Sequence, residues 1–175
     1  MMKKIYIYKY NSEVGNIRVT SDGENVTGLL INKIGYDDAE IISVTAENLD
    51  IFNETKRWLD CYFSGIEPNF MPNIKVKGSE FSKSVWKILC EIPYGKVITY
   101  GDIAKRIMFD TGKRKMSAQA IGGAVKRNPV SILIPCHRVV GAGGNLTGYR
   151  GGLNVKVKLL QLEGIDVSKF YMPSK

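Results

Sequence analysis

The chain has a single histidine and only three cysteines, Cys61, Cys90 and Cys136. These cysteines are odd in number and widely spaced, with no C-x-x-C pair. Neither a disulfide framework nor a structural zinc site is expected, and no metal or cofactor is implied. Long hydrophobic runs are missing too. The longest, such as the one ending at Ile134, fall far short of the roughly 20 residues that span a bilayer, so no membrane partner is expected. At the start, Lys3 and Lys4 precede Ile5-Tyr6-Ile7-Tyr8 and then Lys9. That segment is too short and too polar for a signal-peptide core, which makes the cytoplasm the expected location.

Acidic residues are scarce in one part only. Residues 1–72 carry 7 Lys+Arg against 11 Asp+Glu, a net −4, whereas residues 73–175 carry 18 against 6, a net +12. The break falls at the proline-bearing stretch Glu67-Pro68-Asn69-Phe70-Met71-Pro72. Two domains are therefore expected, 1–72 and 73–175. The second is a candidate polyanion binder, because clustered cations release counterions from nucleic acid. A basic but merely soluble surface is the alternative. With 44% hydrophobic residues among 175, the chain has enough apolar content for an ordinary core.

In the first part, residues 3–10, 17–20 and 26–31 read as strands of an antiparallel meander, with Ser21-Asp22-Gly23 as a turn. Leu49, Phe52, Leu59, Tyr62 and Phe63 recur at near-helical spacing, so a helix from about residue 45 to 63 should pack on that sheet. No catalytic cluster is visible here, and the role expected of this part is structural. In the second part, Phe81, Val85, Ile88, Leu89 and Ile92 form an amphipathic pattern ended by Pro93. Thr99-Tyr100-Gly101-Asp102 has the form of a capping box and opens a short helix. A loop over residues 109–116 leads to a second short helix from the N-cap candidate Ser117 to Lys126-Arg127, stopped by Asn128-Pro129. Two short helices joined by a turn in a basic domain read as a helix-turn-helix.

That second helix holds Ala118, Ala120, Gly122, Gly123 and Ala124. Each internal glycine costs about 0.8–1 kcal/mol relative to alanine, so a bare face needs a reason. Close approach to another surface is one reason, and tight packing on a neighbouring helix is the other. Lys126-Arg127 at its end favours a phosphate-lined groove. Residues 141–152 hold six glycines and read as a mobile lid or hairpin, with Tyr149 as its one aromatic. A last amphipathic helix through Leu153, Val157 and Leu160 ends at Glu163-Gly164.

The most informative stretch is Pro135-Cys136-His137-Arg138-Val139, which sets a cysteine beside the only histidine. A free thiol is only a few per cent thiolate at neutral pH, so a nucleophilic cysteine needs a base or an electropositive setting. His137 and Arg138 offer both. A buried structural cysteine at the end of Ile132-Leu133-Ile134 is the alternative. On an extended segment neighbouring side chains point to opposite faces, so a water or a bend must connect thiol and imidazole. Glu163, at a helix C-terminus where it opposes the macrodipole, is a candidate to orient the imidazole, or else an exposed acid.

Ile134-Pro135-Cys136-His137-Arg138-Val139, preceded by Gly122-Gly123-Ala124 and Asn128-Pro129 and followed by Thr147-Gly148-Tyr149 and Gly151-Gly152-Leu153, resembles the O6-alkylguanine-DNA alkyltransferases, the methylated-DNA-protein-cysteine methyltransferases. The resemblance is strong from Phe81 to Gly164; before residue 73 only the layout agrees. It implies an α+β protein with an RNase H-like N-terminal domain and a winged-helix C-terminal domain that binds double-stranded DNA bearing O6-alkylguanine and flips the damaged base. By the same resemblance Cys136 accepts the alkyl group, once per molecule. His137 is the water-relayed base, Glu163 its orienting carboxylate, Asn128 a support for the turn, and Tyr100 a proton or hydrogen-bond donor to the departing guanine. Ala118, Gln119, Gly122, Gly123, Lys126 and Arg127 would face DNA. Tyr149, Val139, Arg150 and Gly151 would line the pocket. A monomer is implied, with cooperativity on DNA and activity on O4-alkylthymine left open.

Two departures stand out. Gln119 occupies the position of the arginine that commonly fills the space of the flipped base, and the 109–115 loop, with Lys113-Arg114-Lys115, is longer than usual. The alternatives are a non-catalytic alkyl-lesion binder, whose kind lacks the acceptor cysteine, then a winged-helix regulator and a cysteine hydrolase.

Overall fold

The structure is a computed structural model that describes residues 4–32, 41–43 and 45–173. The described chain divides into two compact units. One holds the residues up to Lys77 together with Pro129–Leu133, and the other holds Gly78–Asn128 and the chain from Ile134 onward.

In the first unit, β1 (Ile5–Ser12), β2 (Gly15–Ser21) and β3 (Val26–Ile31) form the antiparallel meander expected from their alternating patterns. Lys3, assigned to the first strand from sequence, lies outside the described residues. A fourth strand, β4 (Ile41–Ser43), adds parallel to β1 and gives the order β3-β2-β1-β4. Three residues are too few to show a period, and a parallel neighbour is joined through a distant crossover, so no local signal marked it. Ile7, Ile17, Val19, Leu29 and Ile31 are buried, as are Phe52, Trp58, Leu59 and Tyr62 of α1 (Asp50–Phe63). The helix starts later than its apolar spacing suggested, because residues 46–48 form a 3-10 turn and the Leu49 carbonyl accepts the first helical N–H groups, Phe52 and Asn53. The segment 129–133 joins this unit by main-chain bonds from Leu29 N to Pro129 O and from Ser131 N to Leu29 O, both 2.9 Å.

The second unit is mainly helical: α2 (Glu80–Cys90), α3 (Tyr100–Thr111), α4 (Ala118–Lys126) and α5 (Leu153–Leu162), with a small parallel pair of β5 (Ile98–Thr99) and β6 (Val139–Val140). The capping box is present at Thr99 and Asp102. Contrary to the sequence reading, Phe109, Asp110 and Thr111 are helical. Thr111 Oγ1 donates to Ile107 O at 2.7 Å, and the helix stops only at Gly112, whose φ of 67° is the left-handed cap conformation. The α3–α4 connection is thus shorter than the 109–116 loop proposed from sequence. Helix α4 starts where expected, with Ser117 Oγ accepting from Ala120 N at 3.3 Å.

Packing of α4 is asymmetric. Ile121, Ala124 and Val125 are buried, while Ala118, Gln119 and Lys126 are exposed and Gly122 is half-exposed. A Cβ built on Gly122 would meet nothing within 4 Å, so packing inside the unit does not demand this bareness. The buried face is held by Trp86, whose Nε1 donates to Ala124 O at 2.9 Å.

The glycine-rich stretch, read from its composition as a mobile lid or hairpin, does not form a hairpin and reaches the core. Residues 142–144 form a 3-10 turn, Leu146 is buried with Val140 and Leu160, and Leu146 N and Gly144 O bond Tyr171 O and N at 2.9 and 3.1 Å. A buried leucine and main-chain pairing outweigh the freedom that glycine confers. Among the described residues no helix is long and apolar enough to cross a membrane.

Replacing Trp86 with Phe should leave the Ala124 carbonyl buried without its indole donor and lower unfolding stability by about 1–3 kcal/mol. The urea midpoint measures this, and an unchanged midpoint would mean the bond has no net value.

Candidate active site

The approach to Cys136 is folded rather than extended. Ile132 has φ 70°, a conformation that β-branched residues rarely adopt, and Leu133 N bonds Ser131 O at 2.9 Å across it. Pro135 (φ −81°, ψ 64°) makes an inverse γ-turn in which Cys136 N bonds Ile134 O at 2.8 Å. Asn128 Nδ2 donates to Ile134 O at 2.8 Å and holds the second of these turns from the end of α4. The chain then enters a 3-10 turn, Cys136–Arg138. This is the bend that the extended reading required as an exception.

Cys136, His137, Arg138 and Glu163 are all buried. Glu163 Oε1 lies 2.6 Å from His137 Nε2 and accepts from Arg138 Nη2 at 3.0 Å. Its Oε2 accepts from Arg138 Nε at 2.8 Å and from Gly95 N at 3.0 Å. Gly95 has φ 72°, and a Cβ there would come 3.1 Å from the Glu163 carbonyl oxygen, so the site needs glycine on both counts. Arg138 Nη1 donates to Ile92 O at 2.7 Å, and its guanidinium lies over the Tyr94 ring at 5.6 Å. Arg138, read from sequence as part of the thiol's electropositive setting, is committed to the carboxylate. The exposed alternative for Glu163 is excluded.

Burial alone would raise the Glu163 carboxyl, but the bonds and charges of His137 and Arg138 outweigh it and hold it at about 2. Burial pulls His137 below the usual imidazole range despite Glu163, so the ring is neutral near pH 7. Burial also pushes the Cys136 thiol up. The Asn128 side chain, the Lys156 charge and the Tyr149 side chain all act in the opposite direction. At rest the sulfur is a thiol in the same turn as a neutral, carboxylate-oriented imidazole. With Nε2 engaged by Glu163, Nδ1 is the ring nitrogen left for proton exchange.

Two residues received no role from the sequence. Lys156 is fully buried on α5, where Nζ donates to Val139 O at 2.6 Å and to Thr147 O at 3.1 Å. Burial lowers it to about 8, with the Cys136 charge opposing. Its signal was its spacing: Lys156, Leu159, Leu160 and Glu163 share one helical face. Thr147 is the other, with Oγ1 donating to Tyr100 Oη at 3.1 Å. Of the expected pocket residues, Val139 is buried, Tyr149 and Gly151 are half-buried, and Arg150 is exposed. Gly151 lies against the Tyr149 ring, where a Cβ would come within 2.9 Å of Cε1. The expected DNA-facing residues of α4 share its solvent side, with Gly123 under the Arg127 guanidinium and Lys126 and Arg127 exposed. No group of three potential metal ligands comes together among the described residues.

Residues 80–165 match the DNA-binding domain of 6-O-methylguanine DNA methyltransferase, and residues 5–75 match its ribonuclease-like domain. The chain belongs to the methylated-DNA–protein-cysteine methyltransferase family. A relative of that name from Methanosarcina acetivorans is 43% identical over 91% of this chain and 99% of its own length. The Haemophilus influenzae methyltransferase is 39% identical over 94% and 89%. The crystal structure of Mycobacterium tuberculosis OGT in complex with DNA superposes with a TM-score of 0.79 at 33% identity, covering 94% of each chain. The α+β class and the pairing of a ribonuclease-like with a DNA-binding domain, inferred from a few motifs, hold along the chain.

A carboxyl lowered on folding contributes stability that is complete above the unfolded value and is lost as pH falls through the folded one. For Glu163 that window runs from about 4.5 down to about 2. Glu163→Gln should therefore be less stable than the parent at neutral pH, with the pH-dependent part of the gap closing below 4.5. Melting temperatures across this range measure it. A gap that widens in acid would contradict the assignment.

Proposed function

We propose that this chain reverses alkylation damage in duplex DNA by moving the alkyl group of O6-alkylguanine to Cys136 Sγ, once per molecule. The observation that carries this reading is the buried thiol in the same 3-10 turn as an imidazole that Glu163 engages at 2.6 Å. The thiol proton passes to His137, directly or through one water, and the sulfur forms a bond to the alkyl carbon as the carbon–oxygen bond breaks. The electron pair returns to the purine, which takes a proton from Tyr100. A thioether remains, and nothing in the site regenerates the thiol.

DNA binding falls to α4. Its bare, solvent-facing side with Lys126 and Arg127 suits close approach to a phosphate-lined groove, and the +12 charge of residues 73–175 supplies the attraction. Base flipping would bring the guanine between Tyr149 and the thiol. The protein would act as a monomer in the cytoplasm. A non-catalytic lesion binder is disfavoured because such a protein has no use for Cys136 or for a neutral imidazole beside it.

After incubation with duplex O6-methylguanine, the peptide bearing Cys136 should gain the mass of one methyl group. Cys136→Ser should lose transfer while retaining DNA affinity. Absence of a mass gain, or a folded serine variant that no longer binds DNA, would count against this division of labour.

Gln119 is exposed on α4, at the position to which the family resemblance assigns an intruding arginine, and it offers amide hydrogen bonds without charge. Gln119→Arg should speed repair of duplex O6-methylguanine and Gln119→Ala should slow it, with free O6-benzylguanine reacting at the parental rate with both. Single-turnover rates decide, and equal duplex rates for all three proteins would remove Gln119 as the wedge.

A further inference from the structure

We propose that Thr147 is a positioning residue for Tyr100, aiming its phenolic proton at the departing purine and stabilising the phenolate left behind; this rests on the transfer reading above. Tyr100 is the first residue of α3, directly after the Thr99 cap, so its backbone is tied to the helix start. Its Oη accepts from Thr147 Oγ1 at 3.1 Å. A phenol that accepts from a threonine hydroxyl must direct its own proton elsewhere, and the pairing of Thr99 with Val140 sets the start of α3 against the segment that leaves the Cys136 turn. The same bond favours the phenolate and works against the burial that raises the Tyr100 hydroxyl.

Thr147 can serve this purpose because its backbone is pinned at both its carbonyl and its N–H. Lys156 Nζ holds its carbonyl at 3.1 Å while also holding Val139 O, one residue beyond the Cys-His-Arg turn, at 2.6 Å. Thr147 N bonds Asn145 O at 2.9 Å, and Asn145 O also receives Gly141 N at 2.7 Å. Gly141 leaves room for the Thr147 methyl, since a Cβ there would approach Thr147 Cγ2 to 3.2 Å. A buried ammonium, a threonine and a tyrosine thus form one strut from α5 to the start of α3.

The proton balance is complete. The thiol proton goes to His137, sulfur takes the alkyl carbon, the purine takes the Tyr100 proton, and Thr147 donates to the resulting phenolate. Imidazolium and phenolate then neutralise through solvent. A hydrogen bond to a charge that develops only during reaction appears in the rate and not in substrate affinity.

The test is the single-turnover methylation rate, with DNA affinity measured alongside. Thr147→Val, which keeps the branched shape, should slow transfer about ten-fold without weakening DNA binding. Thr147→Ala carries the same expectation should valine disturb folding, and Thr147→Ser should restore most of the rate. In a Tyr100→Phe background Thr147→Val should add nothing. Parental rates in Thr147→Val and Thr147→Ala, or equal slowing by Thr147→Val in the parent and in the Tyr100→Phe background, would overturn the proposal while leaving transfer to Cys136 standing. A parent protein that gains no methyl group would sink the transfer reading itself.

Discussion

The second unit is organised around one carboxylate. Glu163 receives four donors from two separate segments: the imidazole of His137 and two nitrogens of Arg138 from one turn, and the main-chain N–H of Gly95 from another. A buried carboxylate without partners would cost several kcal/mol, and removal of one member of a buried ion pair typically costs about 3–5 kcal/mol. Its position at the C-terminal end of α5 is unfavourable for the macrodipole. The acid is kept there because that end is where the turn bearing Cys136 and the loop at Gly95 can both reach it. Fold and site therefore rest on the same contact.

From that contact follows the state of the thiol. Burial first, with the Arg138 charge adding to it, keeps the imidazole uncharged although Glu163 engages it. Burial keeps the proton on sulfur until an acceptor is in position, and a buried protonated thiol reacts slowly with adventitious oxidants. The γ-turn at Pro135, held by Asn128, fixes where the sulfur sits. The left-handed Ile132 just before it is local strain, of the kind often stored next to reacting groups.

Helix α4 shows a different compromise. Its two adjacent glycines weaken it, and it is sustained by the Ser117 cap at one end and by packing of Ile121, Ala124 and Val125 on its inner side, with the Trp86 indole bonded to its backbone. The outer side stays bare. Stability is drawn from one face so that the other can remain free of bulk, and the lysine and arginine at the helix end supply charge where side-chain volume is absent.

Local chemistry in the sequence determined a great deal. The 2-residue and 3.6-residue periods located β1 to β3, α1, α2 and α5, and the Thr99 and Ser117 caps marked the starts of α3 and α4 to the residue. The Cys136-His137 pair, with Glu163 in an unfavourable place, pointed to thiol chemistry, and the resemblance carried by the motif around Ile134–Val139 pointed to the family. What only tertiary structure decided were the pairings between segments far apart in the chain. These include the parallel addition of β4, the return of 129–133 to the first unit, the engagement of Arg138 with Glu163 and the Lys156–Thr147–Tyr100 strut. They were invisible because a hydrogen bond between distant residues leaves no period in either segment. The glycine-rich stretch and the end of α3 were misread for a related reason: composition reports what a backbone is free to do, whereas the buried Leu146 and the left-handed Gly112 decide what it does.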